Sequence, residues 1–207
     1  MKKILLTLTL ATASLFTFAQ SASFGVKGGV SFAKLNLSSS SANISANTGS
    51  VTTFSAGLFA DFKFGNLSLQ PAALYAGKGG NIDAGTGDEA TINLYYLQVP
   101  VNLVYRVPAA IGNVYFGAGP YAAFGLSGKV KGTSDGNSVS QDVTFGDGDE
   151  DFKSTEFGLN GIAGVELKNG FLLGVNYDLG LSNITNSDSS DGALKNRVFG
   201  ISVGFKF

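Results

Sequence analysis

From about residue 21 to the C-terminus, hydrophobic and polar positions alternate along the chain. The last alternating stretch is the clearest: one face carries Phe199, Ile201, Val203, Phe205 and Phe207, and the other carries only Gly, Ser and Lys. A period of two is typical of a β-strand with one apolar and one polar face. No window keeps a helical period for long, so the pattern predicts an all-β chain.

The alternation predicts eight strands separated by connections of two kinds. The predicted strands are residues 23–35, 53–64, 67–78, 92–106, 113–127, 155–167, 171–183 and 195–207. Three connections are short, at 65–66, 107–112 and 168–170, and four are long and rich in Ser, Gly, Asn and Asp, at about 36–52, 79–91, 128–154 and 184–194. Short turns at one end and long loops at the other are typical of transmembrane barrels. We therefore predict an eight-stranded antiparallel transmembrane up-and-down β-barrel, with both termini at the short-turn, periplasmic end.

The two faces of the strands must be assigned to the lumen and to the outside. A soluble barrel is apolar inside and polar outside. Here the polar face mixes Gly with long charged and amide side chains, and the aromatic residues of the apolar face fall near both strand ends, as two interfacial belts would. We therefore assign the polar face to the lumen. Its candidate residues are Lys27, Asp61, Lys63, Gln70, Lys78, Gln98, Asn102, Arg106, Asn160, Glu166, Asn176, Asp178 and Lys206.

Eight strands leave an interior that side chains can fill, and buried charges need partners. We interpret the polar face mainly as an internal network of salt bridges and hydrogen bonds. The alternative is a narrow path for ions or small solutes, lined by the same residues.

The two ends of the chain carry targeting information. Residues 1–3 are basic, 4–18 are apolar, and 17–19 place small residues before a cleavage point, which predicts a signal peptide over 1–19 and leaves 20–207 as the barrel. A retained membrane anchor is the alternative, although about 20 apolar residues are needed to span a bilayer. Phe205 and Phe207 resemble the C-terminal signal by which such barrels are inserted, so we expect the barrel assembly machinery as a partner.

Composition restricts the chemistry that the chain can perform. It contains no Cys and no His, and its formal net charge is −1. The usual general base and nucleophilic thiolate are therefore excluded, and nothing indicates a nucleic-acid partner. We expect no enzyme activity and no cofactor, since an enzyme would need Glu166 or Asp178 as an unusual base.

One acidic run stands out in the third long connection. Asp147, Asp149 and Asp151 supply oxygen ligands of the type that Ca²⁺ prefers, but the full twelve-residue calcium-loop pattern is absent. We interpret the run as a solvated loop and keep these residues as weak candidates for cation binding, including bridging to lipopolysaccharide.

Several segments resemble the outer-membrane β-barrel domain common in Bacteroidota, the PorT-like or porin-like family. These segments are 25–32, 56–63, 67–71 with Leu74 and Tyr75, 96–100, 117–121 and the last strand. Family members often carry an acid where this chain has Ala72 and Gln98. The resemblance implies an outer-membrane location and this fold.

We expect a monomer that contacts outer-membrane lipid and lipopolysaccharide, and whose role is structural or interactive. The alternatives are a narrow pore and, from the family name alone, an accessory component of a secretion system.

Overall fold

A computed structural model describes residues 22–39, 44–83, 89–134, 137–146, 152–185 and 193–207. The predicted signal peptide and the acidic run 147–151 lie outside these ranges. The described strands are β1 (Ala22–Ser39), β2 (Ile44–Asn47), β3 (Val51–Phe64), β4 (Leu67–Asp83), β5 (Glu89–Ala109), β6 (Gly112–Ser134), β7 (Asn137–Val143), β8 (Thr155–Leu167), β9 (Phe171–Gly180) and β10 (Ala193–Lys206). The described part of the chain contains no helix long and apolar enough to cross a membrane.

The sheet closes on itself. Its strand order is β10-β9-β8-β6-β5-β4-β3-β1, and β1 pairs with β10 from Gly25 opposite Lys206 to Ser38 opposite Ala193. The two short strands lie off this ring, since β2 pairs with the end of β1 and β7 with the end of β6. The predicted eight-stranded antiparallel barrel is confirmed. Closure matters because lipid offers no hydrogen bonds to an open strand edge.

The strands extend farther at the loop end than the alternation predicts. The structure continues β4 to Asp83, starts β5 at Glu89 and runs β6 to Ser134, where β7 adds a further hairpin strand. In these extensions the outward positions become polar, as at Asn93 and Lys129, while Val130 and Val143 pack against buried apolar residues, so the apolar-outside alternation ends although the backbone ladder continues. At the other end the connections are short, and Gly65 and Gly170 adopt positive φ values of 65° and 89° in two of the turns, which glycine adopts readily.

Three prolines, Pro71, Pro100 and Pro120, lie within the strands, and because proline cannot donate to the ladder the sequence predicts β-bulges there. That expectation is wrong. Pairing is interrupted beside each proline and resumes in the same register, so no extra residue is inserted. The register shift in the β5–β6 ladder lies instead at Tyr95/Tyr96, where Leu126 is the additional residue.

Two aromatic belts circle the outer face of the barrel. At the loop end, Phe199 lies opposite both Phe32 and Tyr177 in the ladder, and the rings of Tyr75 and Tyr95 stack at 5.3 Å. At the short-turn end, the ring centroids of Tyr105 and Phe116 are 5.5 Å apart, and those of Phe171 and Phe205 are 5.2 Å apart. On β1 the belts are separated by the residues from 24 to 32, about 26 Å of strand, or about 20 Å of height at a tilt of about 40°.

Glycines on the inner face make room for large interior rings. A Cβ built on Gly174 would lie 2.3 Å from the Tyr115 hydroxyl, and one on Gly158 would lie 2.6 Å from the Tyr121 ring. A Cβ on Gly25 would lie 2.3 Å from the Phe59 ring. These close approaches explain why a narrow barrel needs glycine at inward positions even where the backbone is ordinary strand.

Candidate functional site

The barrel interior holds the largest concentration of polar chemistry, arranged in three layers along the axis. The layer nearest the short turns is centred on Arg106 of β5. Its guanidinium donates to Glu166 Oε2 at 2.8 Å, to Asp61 Oδ2 at 2.9 Å and to Ser68 Oγ at 2.5 Å. One planar cation therefore joins β3, β4, β5 and β8, using the fork geometry that arginine offers and lysine lacks.

Two lysines complete this short-turn layer. Lys206 Nζ of β10 donates to Glu166 Oε1 and lies 3.6 Å from Asp61 Oδ2. Lys63 is more peripheral, since its Nζ lies 3.9 Å from Glu166 Oε1 and its side chain is one-third exposed. The layer holds three cations and two carboxylates within ion-pair distance, in an interior where unpaired charges would be costly.

The central layer is a chain of amide groups that ends on a carboxylate. Asn102 donates to Asn160 at 2.6 Å, and Asn160 donates to Asp178 Oδ1 at 2.5 Å. Gln98 donates to Asp178 Oδ2 at 3.2 Å. These bonds link β5 to β8 and β9 across the lumen, so the middle of the barrel is bridged by side chains.

Beside this chain lies a small cavity of about 40 Å³. Lys27, Gln70 and Asn176 line it together with Gln98 and Asp178. A volume of this size corresponds to only a few water molecules, so little free space remains beside the amide chain.

The third layer, nearest the loops, is built around Glu156 of β8. Its Oε1 accepts from Lys78 Nζ at 3.1 Å and from the Tyr121 hydroxyl at 2.5 Å, and its Oε2 accepts from Asn196 at 2.7 Å. The Lys78 ammonium also lies 4.2 Å from the centroid of the Tyr121 ring and 5.4 Å from that of Tyr96. Both the anion and the cation thus have several partners, which fixes their positions in the lumen.

An apolar group shares Tyr96 and Tyr121 with this layer and lies at the loop end, and we refer to it as the loop-end cluster. Its buried members are Leu35, Ile92, Leu94, Tyr96, Tyr121, Ala123 and Ile184, with Val130, Val143, Phe145, Phe152 and Leu194 packed against them. The connecting segments are tied down by backbone bonds, including Lys153 N–H to Ile184 O at 2.8 Å and Gly125 N–H to Ser154 O at 2.9 Å. Ile184 is therefore held within the loop-end cluster.

The residues singled out from the sequence are distributed over these layers. Arg106, Asp61, Glu166, Lys206 and Lys63 meet at the short-turn end, and the amides, Lys27 and Asp178 meet in the centre. Of the remaining candidates, Lys78 lies in the layer nearest the loops. Phe205 lies on the outer face opposite Val26, and Phe207 exchanges backbone bonds with Phe24. The described ranges contain no group of three or more acidic side chains placed to hold a metal ion.

Several members of the interior network are not among the residues predicted from the sequence: Ser68, Tyr96, Tyr121, Glu156 and Asn196. Strand parity would have found them. Glu156 shares the inner face of β8 with Asn160 and Glu166, and Asn196 shares that of β10 with Lys206. The two tyrosines are absent because the predicted lumen list contains only charged and amide residues, although the hydroxyl of a buried tyrosine seeks a polar partner.

A closed barrel with an apolar, aromatic-belted outside and a charged inside is a transmembrane β-barrel protein. The chain matches the family described as "Outer membrane protein beta-barrel domain" over residues 18–186 and belongs to that family. The protein is therefore an outer-membrane β-barrel. No curated protein matches the sequence.

Among solved structures, the chain is similar to outer-membrane barrels. It is 15% identical to Ail, the attachment invasion locus protein of Yersinia pestis, covering 91% of this chain and 100% of that one with a TM-score of 0.44. It is 18% identical to Neisserial surface protein A, covering 90% and 98% with a TM-score of 0.47. It is 11% identical to OprG of Pseudomonas aeruginosa, covering 90% and 96% with a TM-score of 0.44.

Proposed function

We propose that this protein is a closed, monomeric outer-membrane barrel that presents its loop-end hairpins to a partner and neither conducts solutes nor catalyses a reaction. The observation that carries the proposal is the obstruction of the lumen at successive levels. Two ionic layers, one amide layer and the loop-end cluster lie in series along the axis, and each joins strands on different sides of the barrel.

The ionic layers oppose conduction for an energetic reason. A permeating ion would have to displace Lys78 from Glu156, a pair at 3.1 Å in which both side chains are fully buried. Removing one partner of such a pair leaves a buried charge unsatisfied, at a cost of about 3–5 kcal/mol. The apolar loop-end cluster adds a dehydrated section above it.

The interaction role is supported by the structure that extends past the ring. β7 pairs with the loop-end part of β6, from Gly128 opposite Val143 to Ser134 opposite Asn137. Val139 on this hairpin is 71% exposed, beyond the aromatic belt. An ordered hairpin offers a partner a preorganised surface, which lowers the entropic cost of binding.

We also propose that the loop end faces the cell exterior and that both termini face the periplasm. The even number of strands supports placing both termini at the same end. Because the sequence contains no cysteine, single cysteines introduced at Val139 and at Asn169 would be labelled selectively. A membrane-impermeant maleimide on intact cells should label the first and not the second. If only Asn169→Cys were labelled, the short-turn end would face the cell exterior and the proposed orientation would be wrong.

A finer family assignment is proposed as well: the PorT-like branch. It is supported by segments 67–71 and 96–100, which resemble that family and lie in the neighbouring strands β4 and β5.

Planar-bilayer recording of the refolded protein tests the closed barrel. We expect the conductance of wild type to remain at the level of the bare bilayer. The variant Lys78→Ala/Glu156→Ala/Arg106→Ala, which empties both ionic layers, shows whether an opened lumen is detectable in the same assay. Steady conductance steps from wild type would overturn the proposal in favour of the narrow pore.

A further inference from the structure

Between the two aromatic belts, the outward-facing positions of the described strands carry no charged residue. The first charges beyond the loop-end belt at the β1–β10 seam are both positive. Lys34 follows Phe32 by two residues on β1, and Arg197 precedes Phe199 by two residues on β10. Both side chains are exposed. Each lies about 6.6 Å of strand beyond the belt, at the level of the membrane that lipid headgroups occupy.

These two cations are directly opposite each other in the ladder: Lys34 is the register partner of Arg197, just as Phe32 is the partner of Phe199. Opposed residues of an antiparallel pair have Cβ atoms about 4.5–5.5 Å apart, and like charges at this position destabilise the sheet. On its other side Arg197 lies opposite Leu179, which carries no charge. Within the described ranges, neither cation has an ion-pair partner.

Another outward lysine at the same end, on β6, has an acid as its register partner. Lys129 of β6 lies opposite Asp142 of β7, and its Nζ is 3.5 Å from the carboxylate. Among the described residues, the β1–β10 pair has no acid beside Lys34 and Arg197. It has instead a third cation, Lys195, which lies two residues beyond Arg197 on β10 and opposite Asn36. A concentrated positive charge beside an apolar belt is complementary to an anionic headgroup whose acyl chains contact that belt.

We propose that Lys34 and Arg197 form a binding site for the phosphate group of a membrane glycolipid, with the acyl chains lying against Phe32 and Phe199. A phosphate between the two cations would replace their repulsion by charge-assisted hydrogen bonds, and arginine can donate two of them to one phosphate. This proposal rests on the proposed function. The site can take its ligand from the outer leaflet only if the loop end of the barrel faces the cell exterior.

The test uses the full chain refolded in a neutral detergent and titrated with lipid A carrying its phosphates. The readout is the thermal unfolding midpoint, followed as heat-dependent migration on a gel. We expect lipid A to raise the unfolding midpoint of wild type. In Lys34→Gln/Arg197→Gln, the lipid A concentration that gives half of the maximal shift should rise about tenfold. The charge-retaining swap Lys34→Arg/Arg197→Lys and the short-turn control Lys168→Gln should respond like wild type.

Two further titrations distinguish a lipid phosphate from a free phosphate and from the acyl chains alone. Dephosphorylated glycolipid and inorganic phosphate, each at matched concentration, should leave the wild-type midpoint unchanged. Full stabilisation by inorganic phosphate would mean a free-anion site and overturn the proposal. An unaltered lipid response in the double variant would overturn it too.

A charge reversal separates this proposal from a purely structural role. Lys34→Glu places a carboxylate opposite Arg197, so it should raise the midpoint in lipid-free detergent while weakening the lipid response. A fall in the lipid-free midpoint would indicate that Lys34 already has a protein partner, and would contradict the proposal. Cysteine labelling and conductance report on orientation and closure independently of these titrations, so failure of this site and failure of the proposed function give different results.

Discussion

Lys78 of β4 and Glu156 of β8 form an ion pair of 3.1 Å across the barrel, with both side chains fully buried. The two residues are separated by 78 positions in sequence, and in the closed ring β5 and β6 lie between the strands that carry them. In water such a pair contributes little, but in this interior neither charge can be left alone. The pair therefore ties two non-adjacent strands together through the lumen, beside the loop-end cluster.

Breaking this pair from one side should be costly. Lys78→Met leaves Glu156 buried with only Tyr121 and Asn196 as donors, and we expect a loss of about 3–5 kcal/mol in the free energy of unfolding. Lys78→Met/Glu156→Gln removes both charges and should recover a large part of that loss. Urea unfolding in lipid vesicles measures all four corners of the cycle. Additive effects of the two substitutions would show that the charges do not interact.

Arg106 should be more sensitive to a conservative change than its charge suggests. Arg106→Lys keeps the positive charge but cannot reach Asp61, Ser68 and Glu166 together, so we expect a loss of about 2–3 kcal/mol. The matched control is Lys63→Ala, because Lys63 is one-third exposed and 3.9 Å from Glu166; it should cost at most about 1 kcal/mol. Equal losses in the two variants would mean that the fork geometry of Arg106 is unimportant.

Strand parity in the sequence was enough to predict the ring and most inward residues. It could not predict which charge meets which, because that depends on the tilt and stagger that closure imposes. Arg106 and Asp61 are 45 residues apart, and no local pattern connects them. Parity also carries no information about Ile184, whose buried position depends on backbone bonds between connecting segments. The extensions of β4 to β7 escaped prediction because their outward positions become polar, as at Lys129, while apolar residues such as Val130 and Val143 pack against the loop-end cluster, so the apolar-outside alternation ends.

The inward glycines lead to a packing prediction. Gly174→Ala places a methyl group against the Tyr115 hydroxyl, which approaches to 2.3 Å of the added Cβ, so overpacking should cost about 1–3 kcal/mol. Gly161→Ala is the control, since the nearest atom to its Cβ is Tyr177 O at 3.9 Å. The control should change stability by about 0.5 kcal/mol or less. If both variants unfold like wild type in urea, Tyr115 does not occupy the position described.

Embedding in lipid can be tested with two exposed aliphatic positions at different heights. Leu58 is 63% exposed on the outer face of β3 between the belts, and Val139 is 71% exposed on β7 beyond the loop-end belt. Arginine at the bilayer midplane of a barrel costs about 2–4 kcal/mol, and near the interface about 0–1 kcal/mol. We therefore expect Leu58→Arg to destabilise the refolded protein in vesicles strongly and Val139→Arg to have little effect.

The same pair of variants distinguishes a lipid environment from an aqueous one. In water both substitutions replace exposed apolar surface by a charge and should each fall within about 0.5 kcal/mol of wild type. Measured by urea unfolding in vesicles of increasing acyl-chain length, the penalty of Leu58→Arg should grow with thickness, because a thicker bilayer gives its guanidinium less opportunity to reach the interface. A penalty that is equal for the two positions and independent of thickness would contradict the assignment of the apolar face to lipid.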